Sequence, residues 1–136
     1  MRVAPSILAA QYAKCGMTMP LPEKPAPVRL ARIDGVYRSK LERDYSRHLS
    51  LRMRAGELDG YWYEAWEFAL GARRTYTPDF LLEFPDGRRE WHEVKGYMWR
   101  AAATKLDWFV ATYPGERLVV VTRDKGRWIY TERTGG

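Results

Sequence analysis

Three residues of this chain combine types and spacing suited to chemistry: Asp79, Glu93 and Lys95. In Glu93-Val94-Lys95 the two charged residues stand two apart, and because side chains alternate along a strand, both leave the same face. Asp79, in Thr77-Pro78-Asp79-Phe80, precedes the turn signal Pro85-Asp86-Gly87 by nearly as many residues as Glu93 follows it. In a simple hairpin the two carboxylates therefore stand almost opposite each other. Carboxylates that share a site repel unless a cation sits between them, and Mg²⁺ takes one or two carboxylates, with waters and phosphate oxygens completing its shell. Such an ion acidifies a bound water and offsets charge on a phosphate, while a neighbouring ammonium orients the nucleophile or stabilises the transition state. Hydrolysis of a phosphodiester uses all three groups. Mg²⁺, with Mn²⁺ as a substitute, is the expected cofactor, and no organic cofactor is expected. Against this, Asp79 also reads as a solvated carboxylate at a strand edge, and Glu93 with Lys95 as the polar face of a half-exposed strand. Asp is depleted in strands, so its position inside the apolar run 76–82 favours function.

The elements that must position these residues follow from periodicity. Leu41, Tyr45, Leu49 and Met53 recur every four residues after Ser39, and Gly56 stops the run, which predicts a helix. The aromatic stretch 61–70, with Glu64, Trp66, Phe68 and Leu70 on one pleat face, predicts a strand, with a short helix as the alternative. Residues 75–84 and 88–95 predict an antiparallel hairpin about Pro85-Asp86-Gly87. After Gly96, the spacing of Ala102, Leu106, Phe109, Val110 and Tyr113 predicts a second helix over 97–113, ended by Pro114-Gly115. The short apolar run 118–122 predicts a strand buried on both faces between parallel neighbours, and 126–131 an edge strand. The expected fold is α/β in the order αβββαβ with a further strand, a mixed central sheet flanked by helices.

With those elements in order, the sequence resembles the PD-(D/E)XK, or restriction-endonuclease-like, nuclease superfamily. Pro78-Asp79, a hairpin and Glu93-Val94-Lys95 match its signature, and a glutamate-bearing helix precedes them in Ser39-Lys40-Leu41-Glu42. The wording Gly35-Val36-Tyr37-Arg38-Ser39-Lys40-Leu41-Glu42, Arg54-Ala55-Gly56-Glu57-Leu58, Tyr76-Thr77-Pro78-Asp79-Phe80 and His92-Glu93-Val94-Lys95-Gly96 further resembles a family of small phage and prophage proteins. The resemblance spans residues 35–122. It implies a Mg²⁺-dependent DNA endonuclease with Glu42, Asp79, Glu93 and Lys95 as active-site positions, the three carboxylates as metal ligands, and branched or junction DNA as a substrate. The aromatic segment 61–70 departs from the family's wording.

Other residues carry two readings each. Ser39-x-x-Glu42 is a capping box that needs no chemistry, although Glu42 also flanks the inward stripe, from where a carboxylate reaches a metal site. Lys105, at the margin of the second helix's apolar face, is either a snorkelling lysine or a phosphate contact. His92 is out of phase with Glu93 and faces away from it, and His48 reads as a packing residue. The tryptophans 62, 66, 91, 99 and 108 read mainly as core or interface, with stacking on unpaired bases as the alternative.

Composition bounds the whole. The chain has 136 residues, one cysteine and a formal charge of +6, which fits one folded domain and excludes a disulfide framework or a Cys-rich zinc site. No apolar run is long enough to span a bilayer, and 7–10 is too short for a signal peptide, so a reducing cytoplasm is the expected compartment and a membrane is not an expected partner. Prolines 20, 22, 25 and 27 mark a linker after a short helix over 6–15. Residues 1–34 are therefore expected to be a mobile arm and 35–136 the nuclease-like domain. Residues 29–54 carry eight basic against three acidic residues, +5 of the total. Lys40, Arg43 and Arg47 there, with Lys105, are the expected DNA-backbone contacts, unless the segment is an ordinary solvated face. The competing function is a non-catalytic nucleic-acid-binding module. A homodimer is expected if both DNA strands are cut.

Overall fold

The computed structural model describes residues 35–98 and 100–134. The expected arm and linker, Arg29, Arg32 and Trp99 lie outside the described residues. Helix α1 runs Lys40–Arg54; Ser39, in extended conformation, caps it by accepting from the Glu42 N–H at 3.1 Å, and Gly56, at φ +80°, follows its end.

The run 61–70 is not one strand. Strand β1 (Gly60–Tyr63) ends where Glu64 adopts φ +50°, and β2 (Phe68–Gly71) belongs to a different sheet. The expected strand 75–84 is likewise divided. Strand β3 (Arg74–Tyr76) pairs with β2, Thr77-Pro78-Asp79 breaks the run, and β4 (Phe80–Glu83) enters the main sheet. Proline lacks the N–H a ladder requires, which is the physical reason for the break.

The hairpin of β4 with β5 (Arg89–Val94) is antiparallel, with Phe80 opposite His92. Helix α2 (Arg100–Thr112) starts later than expected and ends before Pro114. Strand β6 (Leu118–Asp124) runs parallel to β5 but antiparallel to the edge strand β7 (Arg127–Arg133), so it has one parallel neighbour rather than two.

The main sheet is mixed and five-stranded, in the order β1-β4-β5-β6-β7, with the β2–β3 hairpin as a separate ribbon. The pleat sorts the core into two layers. Tyr45 and Leu49 of α1 pack on Phe80, Leu82, Val94, Val119 and Val121 on one face. On the other, Leu106, Phe109 and Val110 of α2 pack on Leu81, Trp91, Leu118 and Val120 together with Phe68 and Tyr76 of the small ribbon. Phe68 lies edge-on to Phe109 and Trp91 at 4.8 and 4.9 Å, contacts worth about 0.5–1.5 kcal/mol each beyond the burial of their area. Among the described residues no helix is long and apolar enough to cross a membrane.

Candidate active site

Asp79 sits where β4 begins, one residue beyond its ladder. The register that pairs Phe80 with His92 brings Asp79 beside Glu93, on the sheet face covered by α2. The Asp79 main chain is held by the Glu64 N–H, which donates to its carbonyl at 2.8 Å. Its carboxylate takes over where the ladder stops: Oδ2 accepts from the Val94 N–H at 2.8 Å. On β5, Glu93 is clamped from two sides, for the Tyr76 phenol donates to Oε1 at 2.5 Å and the Lys95 ammonium stands 2.9 Å from Oε2.

Glu42, Asp79, Glu93, Lys95 and Lys105 all line one cavity of about 450 Å³, together with Arg38, Glu67 and residues 75–77. Glu42 does not close the expected capping box onto Ser39. Its Oε2 accepts instead from the Arg38 N–H at 3.1 Å and the Tyr63 hydroxyl at 2.6 Å. Lys40, Arg43 and Arg47 are not among the residues lining this cavity. They ride on α1, where Asp44 lies 3.4 Å from Arg43 and 4.0 Å from Arg47 and takes up part of the expected basic footprint.

The electrostatics of the cavity are tense. Burial, then the charges of Glu93 and Glu42, push the Asp79 carboxyl well above the ordinary range, against the opposing pull of the Val94 N–H and Lys95. For Lys95, burial acts to lower the ammonium, but Glu93, Asp79 and Glu42 outweigh it and hold the group above its ordinary value. Tyr76 is pushed well up by burial and by Glu93, so it remains a phenol donor.

Among the described residues no three His, Cys, Asp or Glu side chains stand close enough together to hold a metal ion in this arrangement, although Glu42, Asp79 and Glu93 line the same cavity. The two-carboxylate set of Asp79 and Glu93 does suit Mg²⁺, which keeps most of its waters. With Oδ2 committed to Val94 and the charge of Asp79 raised in energy by its neighbours, a cation at the cavity would relieve the repulsion that the geometry builds in.

Several participants carry no sequence signal. Tyr76 and Tyr63 look like core aromatics in a linear reading, and only the tertiary fold points their hydroxyls at Glu93 and Glu42. Arg38, 2.7 Å from the buried Glu64, joins the cavity rim in the same way. His92 faces away from the cavity, as its phase requires: the Tyr45 hydroxyl lies 2.6 Å from Nδ1 and Glu90 lies 3.0 Å from Nε2. A similar cavity of about 570 Å³ lies by the end of α2, but its charges are already mated, Glu116 with Arg89 and Arg133 with Asp107. Comparison of the chain with protein-family models, curated proteins and solved structures gave no match.

Proposed function

We propose that the protein is a Mg²⁺-dependent DNA endonuclease of the restriction-endonuclease-like class, acting at the Asp79–Glu93–Lys95 cavity. One observation carries the reading: a buried carboxylate just before β4, a second on the adjoining β5 and a lysine share a polar cavity in which the charge of Asp79 is costly. The order of elements supports it, because α1, β1, β4, β5, α2 and β6 follow the αβββαβ sequence once the small ribbon is set aside.

Asp79 and Glu93 would hold the metal. When bound, Mg²⁺ lowers the pKa of a coordinated water and offsets charge on the phosphate. Lys95 keeps its positive charge at the cavity, where it orients the attacking water and stabilises negative charge developing on the phosphate. Glu42 acts from behind, holding the 38–42 turn and the Tyr63 hydroxyl. Lys105 and Arg38 supply cations at the rim for the phosphates on either side.

The test is incubation with plasmid, linear and four-way-junction DNA in Mg²⁺ or EDTA, alongside Asp79→Ala and Lys95→Ala. Metal-dependent cutting that both substitutions abolish is the expected result, and preference among the three DNAs reports whether branched DNA is the substrate. Retardation of DNA without cutting of any substrate would establish the non-catalytic binding module instead. Cutting that survives Asp79→Ala would move the site elsewhere.

A further inference from the structure

The cavity has one more carboxylate than cation among Arg38, Glu42, Glu67, Asp79, Glu93, Lys95 and Lys105. Without a metal, Lys105 and Arg38 offset these carboxylates only in part, so a phosphate backbone needs further cations outside the cavity. The β2–β3 ribbon presents such cations. Its tip is a two-residue turn in which Ala72 and Arg73 adopt φ +49° and +61°, next to Gly71 at +93°. Turns of this kind favour Asn-Gly, and placing a non-glycine residue in the left-handed region costs roughly 1–2 kcal/mol. Lys125 in the β6–β7 turn takes the same conformation at φ +49°, so it is the ribbon's position next to the cavity that sets Arg73 apart.

Arg73 and Arg74 are both exposed and, among the described residues, neither has a carboxylate partner. Arg88, Arg89, Arg117, Arg123 and Arg133 each hold one, whereas Lys125 and Arg127 of the β6–β7 turn, like Arg73 and Arg74, hold none among the described residues. The base of the ribbon is fixed, because Phe68 and Tyr76 pack edge-on against Phe109 and the Tyr113 hydroxyl donates to the Ala69 carbonyl at 2.5 Å. From the tip the chain leads straight to the cavity: residues 75–77 line it and Asp79 follows. Arg74 is five residues from Asp79, so their Cα atoms are at most about 18 Å apart, or roughly five nucleotide steps along the axis of a duplex.

We propose that the β2–β3 ribbon is a rigid finger that holds the phosphate backbone of duplex DNA through Arg73 and Arg74, within a few nucleotides of the phosphate in the cavity. This rests on the nuclease reading for what happens at the cavity, but its own readout is binding. Anisotropy of a labelled duplex of about 20 base pairs, in EDTA over a salt series, compares wild type with the double variant Arg73→Ala/Arg74→Ala. A control variant, Lys125→Ala/Arg127→Ala, removes cations from the β6–β7 turn, which does not line the cavity.

Losing two phosphate contacts lowers the slope of log K against log salt by about 1.8 and weakens binding about thirtyfold at 0.15 M salt. The control leaves both unchanged, and melting curves of both variants match wild type. An unchanged slope in the ribbon variant overturns the finger, even if wild type cuts DNA. A lowered slope in a protein that never cuts in Mg²⁺ keeps the finger and removes the nuclease reading. Wild type that binds no duplex, or a loss seen only with single-stranded DNA of the same sequence, overturns the duplex assignment.

Discussion

Asp79→Asn should stabilise the protein at neutral pH while abolishing its proposed activity. The asparagine oxygen can still accept from the Val94 N–H, so the hydrogen bond at 2.8 Å survives and only the charge is lost. That charge is buried beside Glu93 and Glu42, and burial first, then those carboxylates, raises the Asp79 carboxyl well above its ordinary value. Each unit of such a rise is worth about 1.4 kcal/mol of native stability at a pH above it. The folded state binds the proton more tightly than the unfolded chain, so the contribution of Asp79 is greatest below its unfolded value of 3.8 and falls as pH climbs to the raised folded value. His92 has the opposite sign: burial lowers it, so its contribution is lost as pH falls below 6.5 toward its depressed folded value. The readout is therefore the difference between variant and wild type in urea denaturation at a series of pH values. The difference should favour Asp79→Asn at pH 7 and shrink on acidification. Asp79→Ala loses the acceptor as well as the charge and should lie about 1–3 kcal/mol below Asp79→Asn at pH 7. An asparagine variant less stable than wild type at pH 7, or a difference independent of pH, would show that the fold does not penalise the Asp79 charge.

Tyr76→Phe removes the donor to Glu93 and should cost about 1.5–3 kcal/mol by urea denaturation, with weaker Mg²⁺ binding by calorimetry because Glu93 is no longer held in place. Tyr45→Phe leaves Nδ1 of the buried His92 without its partner on the opposite sheet face. It should cost about 1–3 kcal/mol yet leave DNA cleavage per folded molecule unchanged. Mg²⁺ at a hundred times its dissociation constant should add about 2.7 kcal/mol to wild type in thermal denaturation and nothing to Asp79→Ala.

Helix α1 and the β4–β5 hairpin were legible because local signals set their ends: Ser39 and Gly56 for the helix, Pro85-Asp86-Gly87 for the turn. Counting from that turn was enough to place Asp79 beside Glu93. The segment 61–70 misled because Glu64, Trp66, Phe68 and Leu70 keep a strand-like alternation through a reversal that occurs at the positive φ of Glu64, a residue type with no special liking for it. Pro78 did carry the signal for the break between β3 and β4, and the β-branched and aromatic residues around it masked that signal. The single parallel neighbour of β6 was hidden because burial on both faces reads the same whether the second neighbour is parallel or antiparallel. Around the cavity, the acidic and basic residues showed in the linear pattern, whereas Tyr63, Tyr76 and Arg38 join through contacts that no spacing rule anticipates. The basic residues of α1 were read as one footprint, but Asp44 and Arg123 tie part of that face into ion pairs.

Nicking of supercoiled plasmid in Mg²⁺ by wild type and Asp79→Asn side by side, with melting curves of the same two proteins run in EDTA, tests the proposed site most directly. Wild type should nick the plasmid until EDTA stops it, and Asp79→Asn should not nick at all while melting in EDTA at the same temperature as wild type or higher. Equal nicking by the two proteins, or none by folded wild type on any DNA, would contradict that assignment.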